Sequence, residues 1–180
     1  ITQIPSNKTA KNSVNSIDNI YTITGTLIHK YYKITIKKQL DINKLLSNKL
    51  SFIYDLFSKI GYQKSDINYA MEVVKESLLS LQKSKDGQWI YQLHEDDRME
   101  VNYLHSIADE DKILIPDRTF IEDGKRWIID YKTVFDDKLD LEIEAKTHIE
   151  QLQIYESLFD DGYLIQKAIY FVKQGKLVLI

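Results

Sequence analysis

Residues 115–133 read Ile115-Pro116-Asp117-Arg118-Thr119-Phe120-Ile121-Glu122-Asp123-Gly124-Lys125-Arg126-Trp127-Ile128-Ile129-Asp130-Tyr131-Lys132-Thr133. Two runs rich in β-branched and aromatic residues flank Asp123-Gly124, a dipeptide favoured in two-residue type I′ turns because both turn positions need positive φ. A reversal there sets Glu122 opposite Lys125, and counting back along both strands sets Asp117 opposite Asp130. Directly opposed residues share one face of a sheet, with Cβ atoms about 4.5–5.5 Å apart. Lys132, two residues beyond Asp130, points to that same face. Phe120, Trp127, Ile129 and Tyr131 take the other side and form a core face.

Outward from this hairpin the pattern changes. Upstream it is helical: Ile20, Ile23, Leu27, Ile28, Tyr31 and Ile34 recur at helical spacing, as do Leu45, Leu46, Leu50, Ile53, Leu56 and Phe57 before a stop at Gly61. Ser65-Asp66 is an N-cap for a third helix through Met71, Val74, Leu78 and Leu81. After Asp86-Gly87, read as a turn, β-type runs are expected at 88–93, 99–105, 112–121 and 125–134. A helix over 142–159 and strands at 166–172 and 176–180 complete an α/β layout, an α+β mixed sheet that is mostly a meander with a helix on top. Residues 1–19 read as a polar, frayed leader and 20–180 as a single domain.

The 180 residues contain no cysteine, 43% hydrophobic and 28% charged residues, and six glycines. This is the profile of an ordered globular domain in a reducing compartment, the cytoplasm, without disulfides, a thiolate zinc site or an iron–sulfur cluster. No apolar run approaches the roughly 20 residues that span a bilayer, so no membrane is expected as a partner. A net charge of −3 weighs against nucleic-acid binding, which usually requires a basic surplus. An opening Ile and a closing run Lys176-Leu177-Val178-Leu179-Ile180 are expected of a piece of a longer polypeptide.

Two carboxylates at hairpin distance repel, and burial pushes one toward protonation unless a cation stands between them. Mg²⁺ or Mn²⁺ suits that position, because such ions take oxygen ligands from one or two protein carboxylates together with a substrate phosphate. A metal so placed polarises the phosphate and activates water. Lys132 then supplies a compact positive charge for that water or for the charge developing on phosphorus. The plainer reading makes Asp130 and Lys132 a surface salt bridge. An Asp that directly follows Trp127-Ile128-Ile129 argues against it, because a buried carboxylate is costly without a partner.

Pro116-Asp117, twelve residues and Asp130-Tyr131-Lys132 resemble the PD-(D/E)XK nuclease signature. The longer string around them is similar to the RecB-like nuclease domain found at the C-terminal end of UvrD-like helicases. Gly25-Thr26-Leu27-Ile28-His29 resembles the N-terminal helix motif of that family, Glu100 stands where an acidic residue often precedes the first aspartate, and Gln151-Leu152-Gln153-Ile154-Tyr155 resembles its QxxxY helix motif. Together these matches cover residues 25–155.

The resemblance implies a restriction-endonuclease-like core with an N-terminal helical part. It implies a Mg²⁺- or Mn²⁺-dependent deoxyribonuclease, an exonuclease with room for endonuclease activity, serving DNA repair and recombination. His29, Asp117, Asp130 and the Tyr131 carbonyl would hold the metal, with Glu100 in its surroundings. Asp117, Asp130, Lys132, Gln151 and Tyr155 would be catalytic. Single-stranded DNA would be oriented by Gln151 and Tyr155 and fed by helicase domains of the same polypeptide, with other subunits of a helicase–nuclease complex as further partners. Independently of the resemblance, Lys30 and Lys33, close behind His29, with Arg118 nearby, are read as a phosphate path, against the simpler account of a solvated helix face. The alternative is a catalytically inactive nuclease fold that binds DNA or a partner subunit. His94, His105 and His148 are assigned structural roles.

Overall fold

A computed structural model describes residues 11–107 and 110–180. Four helices come first: α1 (Lys11–Lys38), α2 (Ile42–Ile60), α3 (Lys64–Lys83) and α4 (Lys85–Tyr91). Of the polar opening stretch, 1–10 lie outside the described residues, and α1 reaches back to Lys11. α2 begins where the Asp41 side chain accepts from the Lys44 amide and stops at Gly61, whose φ of 98° is left-handed. Glycine enters that region without a Cβ penalty.

α4 replaces the strand expected at 88–93. Ser84 caps it by accepting from the Gly87 amide, so Asp86-Gly87 begins a helix rather than turning into a strand. Gly87 serves close packing: a Cβ there would stand 2.0 Å from the Ser80 carbonyl oxygen of α3. Only glycine lets the two backbones approach so nearly.

The strands are β1 (Glu95–Met99), β2 (Tyr103–Ile107), β3 (Glu110–Leu114), β4 (Arg118–Glu122), β5 (Lys125–Lys132), β6 (Leu164–Phe171) and β7 (Lys176–Leu179). The run expected over 112–121 breaks between β3 and β4 around Pro116, which has no N–H for a ladder. Similarly, 99–105 divides between β1 and β2 at Glu100, whose φ is +48°. β2 and β3 form a two-stranded sheet apart from the main one.

In the main sheet the order is β1-β4-β5-β6-β7. β4 and β5 are antiparallel in the register that the turn dictates, from Glu122↔Lys125 to Arg118↔Ile129. Asp123 (φ 51°) and Gly124 (φ 69°) make the reversal.

β5 and β6, by contrast, are parallel, so the sheet is mixed as expected, but the meander expected within it is interrupted at this pair. The chain crosses between them through α5 (Leu141–Lys146) and α6 (Ile149–Glu156), two helices where one was expected over 142–159. The unbroken apolar run Trp127-Ile128-Ile129 carries the reason. A strand apolar on both sides is covered on both sides, as parallel strands with crossover helices are.

Phe120, Ile129 and Tyr131 pack under the helices of the first half, while Ile128, Ile169 and Phe171 meet Ala145 of α5 and Leu152 of α6. The protein is thus mixed α/β, with helices on both faces of a mixed sheet. Among the described residues, no helix is long and apolar enough to cross a membrane.

Because the obstruction at Gly87 is backbone rather than a movable side chain, Gly87→Ala forces α3 and α4 apart. Denaturant unfolding is expected to show a loss of about 2–3 kcal/mol, within the range of overpacked cores. Wild-type stability in the variant would refute the close approach.

Candidate active site

Asp117 stands between Pro116 and the first residue of β4, where the helical layer, β4 and β5 meet. Its Oδ2 accepts a 2.7 Å hydrogen bond from the Tyr131 amide of β5. Its Oδ1 lies 3.1 Å from His29 Nδ1, on α1. Residues 88 positions apart are thereby tied at one carboxylate. Burial alone would lower the His29 pKa, but the hydrogen bond and charge of Asp117, with smaller contributions from Asp130 and Glu100, raise it above the ordinary imidazole value.

Asp130 leaves β5 on the face covered by α6 and is 3% exposed. Its Oδ1 accepts from Gln151 Nε2 at 3.0 Å. Oδ2 lies 2.9 Å from Lys132 Nζ, a close ion pair without an aligned hydrogen bond. Burial, and then the negative charge of Asp117, push the Asp130 pKa upward; Lys132 and His29 pull the other way without cancelling them. Lys132 Nζ also donates to Gln151 Oε1 at 3.3 Å. Gln151 Nε2 donates to Tyr155 Oη at 3.0 Å, one turn along α6, and Tyr155 Oη donates to the Ile115 carbonyl. Asp130, Lys132, Gln151 and Tyr155 form one connected network.

Glu100 lies against the same site: its amide donates to the Asp117 carbonyl at 3.0 Å. Its side chain, however, is engaged by Lys33 at 2.8 Å.

Arg118 requires correction. It is fully buried, not presented to DNA. Its Nε and Nη2 hold both oxygens of Asp97 on β1 at 2.9 and 2.5 Å, Nη2 donates to the Gln92 carbonyl and Nη1 to that of Ile90. A guanidinium with planar, divergent donors suits such a knot. It anchors β4 beside Asp117 to β1 and to the end of α4. Tyr131 likewise sends its side chain into the core beneath the helices, so only its backbone is available to the site.

Thr133 had no role assigned from sequence. Its hydroxyl is buried without a hydrogen-bond partner and faces Gly25 of α1. The one signal for it in the chain is its position directly after Lys132. His94 stacks on Phe120, and His148 lies 3.3 Å from Glu144, both structural contacts.

The donors at this centre are two carboxylates and an imidazole, with a backbone carbonyl beside them. This set suits a hard divalent cation, and Asp130 Oδ2 lacks an aligned donor. The side chains are nonetheless drawn to His29 and Lys132 rather than to a shared point. Among the described residues, no three His, Cys, Asp or Glu side chains converge as a ready cage. No protein-family model matches the chain, and no curated protein does.

Two outcomes follow. Arg118→Met leaves Asp97 buried without its cation and two carbonyls without donors, and is expected to cost about 3–5 kcal/mol in denaturant unfolding, the usual penalty for breaking a buried ion pair. Unchanged stability would return Arg118 to the surface role.

The second concerns pH in chelator-treated protein. A folded-state pKa raised above the unfolded one contributes stability that is complete below the unfolded value and lost as pH rises through the folded value. For Asp130 that loss occurs on the acid side, so at neutral pH its charge is a standing destabilisation. Asp130→Asn is therefore expected to melt higher than wild type at pH 7, the gap closing as acid protonates Asp130. A lower melting temperature for the variant at pH 7 would contradict this.

Proposed function

We propose that this chain is a metal-dependent deoxyribonuclease of the RecB-like branch of the PD-(D/E)XK superfamily, hydrolysing phosphodiester bonds of single-stranded DNA. One observation carries the reading: Asp117 and Asp130 are brought together at the open end of the β4–β5 hairpin, each with a nitrogen partner from the expected set, and α6 lays Gln151 and Tyr155 against them. The reaction class fits that inventory. Water adds to phosphorus, the bond to a deoxyribose oxygen breaks, and negative charge grows on the phosphoryl oxygens.

Lys132 stands 2.9 Å from Asp130 with a side chain partly open to solvent. Its ammonium can meet the growing charge or orient the water that attacks. Gln151 bridges Lys132 and Asp130, holding the ammonium in place and leaving Tyr155 at the rim to meet the strand. Asp117, Asp130 and His29 are the side chains that would hold Mg²⁺ or Mn²⁺, with the Tyr131 carbonyl as a further ligand. Such an ion polarises the phosphate and lowers the pKa of a bound water. Helicase domains of the same polypeptide would deliver the strand, and a helicase–nuclease acting in DNA repair or recombination in the cytoplasm is the setting proposed.

A second reading has its own observation. His29 opposite Asp117 and Lys132 opposite Asp130 balance the site without any metal, as a nuclease fold retained only to bind DNA or a partner subunit would be.

The two readings separate in a cleavage assay on labelled single-stranded DNA with Mn²⁺ or Mg²⁺, comparing wild type with Asp130→Ala and Lys132→Ala. Wild-type cleavage that falls by about 10²-fold or more in each variant is expected, on the scale of losing one charge-stabilising group. Three proteins alike, whether active or silent, would eliminate the catalytic assignment.

A further inference from the structure

A groove of about 420 Å³ adjoins the site, lined by Gly25, Thr26, His29, Lys30 and Glu100. His29 is common to the groove and the carboxylate pair, and Glu100 touches the Asp117 backbone, so the groove is continuous with the centre.

Gly25 is anomalous for the fold. It lies inside the 28-residue helix α1, where glycine is among the poorest residues. Packing does not require it. A Cβ at that position would meet only Thr133 Oγ1, at 3.9 Å, an ordinary contact, and its φ is not positive. Gly25 lines the groove, so that part of its wall is bare backbone.

The cations show what the open space receives. Of those beside the centre, Lys33 is paired with Glu100, Arg118 with Asp97 and Lys132 with Asp130. Lys30 is exposed, and among the described residues its side chain has neither an ion pair nor a hydrogen bond. It therefore offers a free ammonium on the groove wall one residue past His29, while Glu100 opposite is already neutralised by Lys33. The buried, unpartnered Thr133 hydroxyl lies 3.9 Å from where a Gly25 Cβ would stand.

We propose that this groove seats a backbone phosphate of the DNA strand next to the scissile one, with Lys30 as its cation and Gly25 as the clearance that lets the strand approach α1. This deepens the nuclease reading and rests on it for the identity of the ligand. It makes the substrate a polynucleotide, because a mononucleotide would leave the groove empty.

The test is binding, read without cleavage. Anisotropy of a labelled oligothymidylate in Ca²⁺ is measured over a salt series for wild type, Lys30→Ala, Gly25→Leu and Lys59→Ala, the last removing an exposed lysine from α2. Loss of one phosphate contact on a single strand lowers the slope of log K against log salt by about 0.7. Lys30→Ala is expected to show that drop with about a 5- to 10-fold weaker affinity at low salt, and Lys59→Ala to show neither. Gly25→Leu is expected to weaken binding while melting no lower than wild type, which separates a blocked groove from a damaged fold.

Equal slopes for Lys30→Ala and Lys59→Ala would overturn the proposal, as would unimpaired binding by Gly25→Leu. Absence of binding by wild type also ends it. The Mn²⁺ cleavage assay then reports separately on the nuclease reading.

Discussion

Asp117 is the joint on which the site depends. One of its oxygens is held by a backbone amide of β5 and the other by a side chain of α1, so its position is set by both layers at once. The amide bond is local, since the β4–β5 turn already brings residue 131 near. The His29 contact is not, and it requires α1 to lie across the end of the sheet at the correct height. Charge-assisted hydrogen bonds to a carboxylate are stronger than neutral ones, which suits a contact joining two separately packed layers. Arg118, the next residue, secures the same point from below by clamping β4 to Asp97 of β1.

This arrangement places Asp130 under strain of a different kind. Its neighbours on β5 are core residues on both faces, and α6 covers the side from which it projects. A charged group with little access to solvent is sustained only by partners. Lys132 and Gln151 are those partners, yet its pKa remains raised, first by burial itself and then because Asp117 is also negative. A carboxylate held against its preference for the neutral form, beside a cation kept loosely enough to remain partly exposed, is more often a working group than a structural one. A buried pair selected only for stability could be replaced by apolar residues of similar volume at little cost.

The hairpin was legible because type I′ turn chemistry sets register to the residue, and register then assigns faces. From Asp123-Gly124 alone, the pairings down to Arg118↔Ile129 and the core side of Phe120, Ile129 and Tyr131 follow. What failed depended on partners distant in sequence. Gly87 looked like a turn because the backbone of α3 it packs against is invisible from its neighbours. Arg118, next to a candidate ligand, looked like a DNA contact because its acceptors, Asp97, Ile90 and Gln92, come from elements whose position a local pattern does not encode. The parallel pairing of β5 with β6 was within reach, since Trp127-Ile128-Ile129 lacks the alternation of a half-exposed strand. It was missed because the downstream helical pattern was read as one helix lying on a meander rather than as a crossover.

The formal charge of −3 loses much of its force as an objection to a polyanionic ligand once the ion pairs are traced. Several of the acids near the centre are neutralised within the chain: Asp97 by Arg118, Glu100 by Lys33, Asp130 by Lys132. Others lie away from it, as Asp137 does with Lys173. Salt screens exposed charges beyond about 8–10 Å, so a phosphate at the groove would respond to the few groups lining it and not to the total. Those are a free lysine, a histidine made more basic by its carboxylate, and an acid already paired. With His29 facing the Asp117 carboxylate, the unmatched charge on the groove is that of Lys30, a local balance that composition could not display because it depends on which charges the fold has matched.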